Sequence, residues 1–191
     1  VADKSNNPSW IASDILAQAE HDNKAQTILI TNDENFANQV RNNIIELTKI
    51  LSRKKTIKKS INNCSAIIIL NNLDRASEII NIIAPEHLHL QCKNAQILFK
   101  KIENAGCIFV GKHSVESFGD YIIGTNHVLP TSGTAKFSSG LGVLDFMKRT
   151  SYVEIGEKTF DSLSGHVLNL AEIENLDAHK LSVKIRQKHK K

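Results

Sequence analysis

Adjacent Glu86 and His87, directly after Pro85, are the residues of this chain best suited to proton chemistry. A carboxylate can activate water, and imidazole titrates near neutrality. The same tripeptide also reads as a polar turn between a helix and a strand, and His89, two residues on, can face a site or solvent. Gln18 and His21 stand three apart on a predicted helix, so their side chains project from one face. That spacing suits two ligands of one metal ion, neutral imidazole being a common zinc donor. Taken alone the signal is weak, since such a spacing at a helix end is usually a solvated surface pair.

Two further places carry polar groups that a core does not need. The segment Phe118 to Leu141, FGDYIIGTNHVLPTSGTAKFSSGL, has four glycines, a cluster of hydroxyls and almost no apolar periodicity. A long stretch of this kind inside a compact domain is usually functional, and here it is expected to be loop. Asp120 and His127 are its polar anchors: Asp120 as a hard metal ligand or substrate acceptor, His127 as a ligand or proton carrier. Near the end, ENLDAH presents Glu174 and His179, which serve either as helix-exit residues or as ligands. Gln18, His21, Asp120 and His179 make a four-ligand set if the tail folds back, or across onto a neighbour.

The elements that must position these residues follow from apolar spacing. Asn7-Pro8 is a cap followed by Pro at the first helical position, and Trp10, Ile11, Ile15, Leu16 and Ala19 carry a helix to about Glu20. Thr27–Thr31 and Ser65–Leu70 read as buried strands, with an amphipathic helix over Glu34–Ser52 and a basic stretch, Arg53–Lys59, between them. Leu73–Ile83 is a predicted helix ended by Pro85. Strands are expected at Leu88–Gln91 and Cys107–Val110, with a helix over Lys93–Ala105 between them.

Helices alternating with short apolar strands indicate an α/β fold with a mainly parallel sheet over residues 1–141. Residues 142–191 form a tail: a short amphipathic piece over Val143–Thr150, a strand-like Tyr152–Ile155 and a helix over Ser162–Leu176. Such a tail is too thin to bury a core of its own, and is expected to pack on the main lobe or on another chain.

Composition excludes several classes. With 41% hydrophobic and 23% charged residues, the chain is ordinary globular protein, neither disordered nor fibrous. Its net charge of +4 is concentrated near the end, at Lys180, Lys184, Arg186, Lys188, Lys190 and Lys191. A solvated helix end explains that run, and no aromatic residues alternate with it as a base-stacking surface would require, so no nucleic-acid partner is expected. Cys64, Cys92 and Cys107 are scattered without CxxC spacing, which points to a reducing compartment. With no membrane-length apolar run and no signal peptide, a cytoplasmic location without a membrane partner is expected. The first residue is Val, and VADK reads as the end of a strand, as in a piece of a longer polypeptide.

Taken together, QAEHD at 18–22, APEHL at 84–88, the GDYIIGTNHVLPTSGTAKFSSGL segment and the terminal LDAH closely resemble histidinol dehydrogenase. The motifs occur in family order and spacing over nearly the whole chain, starting partway through the family polypeptide. The resemblance implies NAD-dependent oxidation of L-histidinol to L-histidine through L-histidinaldehyde. It also implies zinc held by Gln18, His21, Asp120 and His179, and an incomplete Rossmann-like lobe whose tail embraces the partner in a homodimer. It implies His87 as general base, Glu86 as activator of water, and Gln18, His21, His87, Asp120, Glu174 and His179 as substrate contacts, with His127 in support. Glu174 and His179 would serve the other subunit's site. The NAD-binding residues are expected mostly upstream, and no GxGxxG fingerprint occurs here. Asn175 stands where the family usually has Gly, and Lys136 where it usually has Arg. Two other readings remain: a zinc-binding dimerisation fragment without catalysis, and a zinc hydrolase. Against the hydrolase stand Gln as an unusual hydrolytic ligand and the lack of an HExxH-type arrangement.

Overall fold

The structure, a computed structural model, describes residues 1–188 and divides them into two compact units, Val1–Phe146 and Met147–Lys191. Lys190 and Lys191 of the basic run lie outside the described residues.

The first unit begins with α1 (Pro8–Ala19), where Asn7 accepts a hydrogen bond from the Ser9 amide and Pro8 opens the first turn. Next come β1 (Ile28–Thr31) and α2 (Glu34–Ile50), capped by Asp33, which accepts from the Phe36 amide at 2.9 Å. Ile11, Leu16, Leu29, Phe36, Val40 and Ile44 form one core cluster. The basic stretch expected to lead straight into a strand is instead α3 (Lys54–Cys64). Its Ile57 is fully buried and Ile61, one turn on, packs against the same cluster, while Ser60 donates to the Ala25 carbonyl at 2.7 Å. The lysines hid that stripe.

The chain continues through β2 (Ala66–Ile69), a 3-10 turn at Leu73–Arg75, α4 (Ala76–Ile83) and β3 (His87–Leu90). Ala84, at φ 50°, takes the left-handed conformation that ends α4. A helix over Lys93–Ala105 was expected, but only α5 (Ala95–Phe99) forms. The Asn81 side chain explains the early stop. It accepts from the amides of Glu103 and Asn104 and donates to the Lys101 carbonyl, taking backbone groups that a helix would use.

β4 (Cys107–Val110) pairs parallel with β3, His87 opposite Cys107 and His89 opposite Phe109. β1 pairs parallel with β2. Residues 1–2 join the two pairs: the Ala2 amide donates to Ile30, the Val1 nitrogen donates to His89, and the Val1 carbonyl accepts from Gln91. The α/β class with parallel strands is therefore present as expected. A second cluster, with Ile30, Ile80, Leu88, Leu90 and Leu98, fills the space behind the sheet. Burying each such side chain contributes about 1.5–3 kcal/mol.

Phe118–Leu141 is not all loop. Its start belongs to α6 (Glu116–Tyr121), and Thr134–Lys136 is a 3-10 turn. A Cβ on Gly119 would stand 2.7 Å from the Phe109 ring, so glycine is what lets α6 lie directly on β4.

The second unit carries α7 (Glu157–Ile173) and α8 (Asp177–Lys188). The strand-like Tyr152–Ile155 is not a strand, and no described residue pairs with it. A strand needs a neighbour to take its backbone groups. Asn175, at φ 56°, turns the chain between the two helices, and the Leu176 amide returns to the Ala171 carbonyl. That left-handed position suits the Gly that the resemblance implies there, and Asn is the other residue that occupies it readily.

Candidate functional site

One cleft of the first unit, with a volume of about 1130 Å³, gathers most of the residues singled out in the sequence. Gln18 and His21 reach it from the end of α1, Glu86 and His87 from the start of β3, and Asp120 from α6. His127 and Lys136 border it from the following loop. Strand alternation decides the histidines: Leu88 and Leu90 point into the core, leaving His87 and His89 on the opposite face. His89 is a cleft residue, not a solvent-facing one. His179 and Glu174 belong to the second unit. His179 lies exposed in the first turn of α8, and Glu174 ends α7.

Four residues to which sequence reading gave no role add to the polar lining: Asp14, His89, Gln91 and Glu116. Glu116 and Asp120 are four apart on α6 and face His87 together. Nδ1 of His87 lies 3.7 Å from Glu116 Oε2, and Nε2 lies 3.8 Å from Asp120 Oδ1. Neither ring nitrogen makes a hydrogen bond, although both are buried. Nδ1 of His89 is 3.6 Å from Asp14, whose carboxylate accepts from the Gln91 amide at 2.8 Å. Both imidazoles pack beside Phe109, with ring centres 6.0 Å (His87) and 5.0 Å (His89) away. The spacing of Glu116 and Asp120 was a readable signal, masked because the segment lacks apolar periodicity.

Burial sets the electrostatics. It pushes the Glu116 carboxyl up to about 7, aided by the charges of Asp120, Glu86 and Asp14. Glu86 is also raised, mainly by burial, with His21 opposing and Asp120 adding. His87 is lowered by burial; Asp120 opposes that, while His89 and His21 reinforce it. A neutral imidazole beside carboxyls of raised pKa is the composition of an acid–base site.

The donor chemistry also fits a cation. Gln18 Oε1 is buried with no hydrogen-bond partner, as are both nitrogens of His87. His87, Glu116 and Asp120 offer three ligand atoms within 4.8 Å of one another, a group that shares only Asp120 with the set expected from the sequence. Among the described residues no helix is long and apolar enough to cross a membrane.

The sequence model of the family described as histidinol dehydrogenase matches residues 1–187. Histidinol dehydrogenase of Brucella suis is 47% identical over 186 residues, and that of Rhodospirillum rubrum 47% over 187. In both cases the match covers 97% of this chain and 43% of the relative, so the chain spans less than half the length of these curated relatives. A crystal structure of histidinol dehydrogenase from Elizabethkingia anophelis superposes with a TM-score of 0.88 at 37% identity, over 98% of this chain and 43% of that one. Sequence and fold thus coincide, and the chain belongs to the histidinol dehydrogenase family.

Proposed function

We propose that this chain supplies the acid–base and metal-holding part of an NAD-dependent oxidation of L-histidinol to L-histidine through L-histidinaldehyde, a cytoplasmic step of histidine biosynthesis. The observation that carries the reading is the convergence of Gln18, His21, Glu86, His87 and Asp120 on one cleft, with buried Gln18 and His87 atoms lacking partners. Gln18, His21 and Asp120 would hold zinc with His179, and Glu174 and His179 would come from a second copy of the chain. The exposed stripe Leu163, Val167 and Leu170 on α7, at helical spacing, supports that association.

When bound, zinc would supply a Lewis-acidic anchor for the imidazole and amino nitrogens of the substrate, and two NAD in succession would accept the two hydrides, one from the alcohol and one from the hydrated aldehyde. His87, held neutral by its surroundings, takes the proton of the alcohol as the hydride leaves. Glu86, a carboxyl of raised pKa next to His87, takes a proton from the water that adds to the aldehyde. Asp120 and Glu174 bind and orient the substrate, and His127 at the cleft border supports it. The residues that contact NAD are not assigned on this chain. Because the chain covers 43% of its relatives, a second reading is kept: a zinc-binding, dimer-forming part with no turnover of its own.

The test is histidinol-dependent NADH formation, measured on the chain alone and on the chain completed by the missing portion of a family member. Turnover is expected only in the completed protein. There His87→Ala should cut turnover about 10²–10⁴-fold while zinc is retained. Gln18→Ala and His179→Ala should lose zinc. A completed protein that forms no NADH from histidinol would sink the enzymatic reading; turnover per bound zinc that survives His87→Ala would remove the base.

A further inference from the structure

We propose that Glu116 is a positioning residue for His87: its carboxylate receives the Nδ1 proton, so that the Nε2 lone pair is the one presented to the cleft. The functional meaning rests on His87 acting as the base.

A neutral imidazole carries one N–H, and two carboxylates compete for it from opposite sides of the ring. The sites differ in their access to water. The Glu116 side chain is 8% exposed and Asp120 is 21% exposed. Asp120 can satisfy its oxygens from the cleft, whereas Glu116 accepts no hydrogen bond from the described residues, and its nearest donors are the two histidines. A buried carboxylate without a donor is costly, so the imidazole proton is worth more to Glu116 than to Asp120.

The second histidine lies beside two carboxylates: its Nδ1 is 3.6 Å from Asp14 and 3.3 Å from the Gln91 side-chain amide, and its Nε2 is 4.0 Å from the same Glu116 oxygen that faces His87. The close seat of Gly119 on Phe109 holds α6, and with it Glu116, against that strand. The separations exceed hydrogen-bond length, as contacts at acid–base sites often do before ligand tightens them. The consequence is the orienter–base arrangement: one ring nitrogen is fixed so that the other faces the reacting proton, and the imidazolium formed on proton transfer is stabilised from behind.

The test is the ring tautomer of His87, read by nitrogen NMR on the chain labelled with 15N-histidine, with His87→Asn giving the assignment. Spectra are taken above the Glu116 pKa, with and without added zinc, and zinc content is measured separately. The wild-type His87 ring is expected to be protonated on Nδ1, the form that free imidazole side chains in water disfavour. Glu116→Leu, which removes the acceptor, should move the proton to Nε2, and Glu116→Gln, which keeps an acceptor, should restore much of the Nδ1 form. Zinc content should be the same in all three. A wild-type ring protonated on Nε2 would overturn the proposal without any variant having to fold. So would a tautomer indifferent to Glu116→Leu, or loss of zinc in that variant, which would make Glu116 a ligand. Absence of zinc from the wild type would count against the proposed ligand set alone, since the tautomer is also read without metal.

Discussion

β2 and β3 are both four-residue parallel strands, and their burial runs opposite to their composition. β2 is Ala-Ile-Ile-Ile, yet Ile67 is 37% exposed and Ile69 is 49% exposed. β3 is His-Leu-His-Leu, yet Leu88 and Leu90 are 5% and 0% exposed and its histidines are largely covered. The difference is position. β3 lies between residues 1–2 and β4, with α4 and α5 contributing to the core behind it, whereas β2 pairs only with β1 and forms an edge among the described residues. A central strand can afford polar residues on the face that lines a cleft, because its other face is anchored. An edge strand keeps whatever apolar surface its neighbours leave uncovered.

The largest expected effect tests that anchoring. Leu90→Ala should cost about 2–5 kcal/mol in urea unfolding of the chain, while Ile69→Ala should cost about 1 kcal/mol or less. Equal costs would mean that β2 is covered after all, and the comparison would collapse. Next is the seat of α6: Gly119→Ala forces a methyl group to 2.7 Å from the Phe109 ring and should destabilise by about 1–3 kcal/mol. Unchanged stability would show that α6 moves freely, and with it Glu116 and Asp120.

A smaller effect reads the polar face of β3 through pH. The Glu116 carboxyl rises from 4.5 to about 7 on folding, so the folded chain holds that proton more tightly than the unfolded one. This contribution is fully present below pH 4.5 and is lost as pH rises through about 7. Discounted for solvent screening through the cleft, the loss is about 1–2 kcal/mol. His87, whose pKa is lowered, works in the opposite sense and loses stability as pH falls below its ordinary value. The difference between wild-type and Glu116→Gln unfolding, followed across that window without metal, isolates the Glu116 part; parallel curves would refute it. Smallest in stability but plain in solution, Ile69→Thr on the edge strand should change unfolding by less than about 0.5 kcal/mol and reduce concentration-dependent light scattering. Unchanged scattering would mean that β2 is not a sticky edge.

Local signals in the chain were enough for much of this. Asn7-Pro8 announces the first helix through a cap that the structure forms, and apolar spacing announces the second. Cys107–Val110 is a strand at the residues expected, because a short run of apolar and β-branched residues after Gly106 has few other uses. Where a decision depended on distant groups, the sequence misled. Lys93–Ala105 has helical composition, but Asn81, from another helix, takes its backbone. Tyr152–Ile155 has strand composition, but no described residue offers it a ladder. The lysines around Ile57 look like a solvated run until α3 is seen to turn Ile57 and Ile61 onto the core.

The candidate site divides in the same way. Residue type and motif order determined which side chains carry chemistry, because imidazole, carboxylate and amide ligands are few and their local spacing is visible: Gln18 with His21, Glu86 with His87, and Asp120 in its glycine-rich segment. Only the tertiary structure decided which of them meet. Parallel pairing sets β3 beside β4, strand alternation turns His87 and His89 to one side, and a glycine contact lays α6 against that side. Glu116 becomes the most strongly shifted carboxyl of the cleft because burial and like charge accumulate there, and both are properties of neighbours in space.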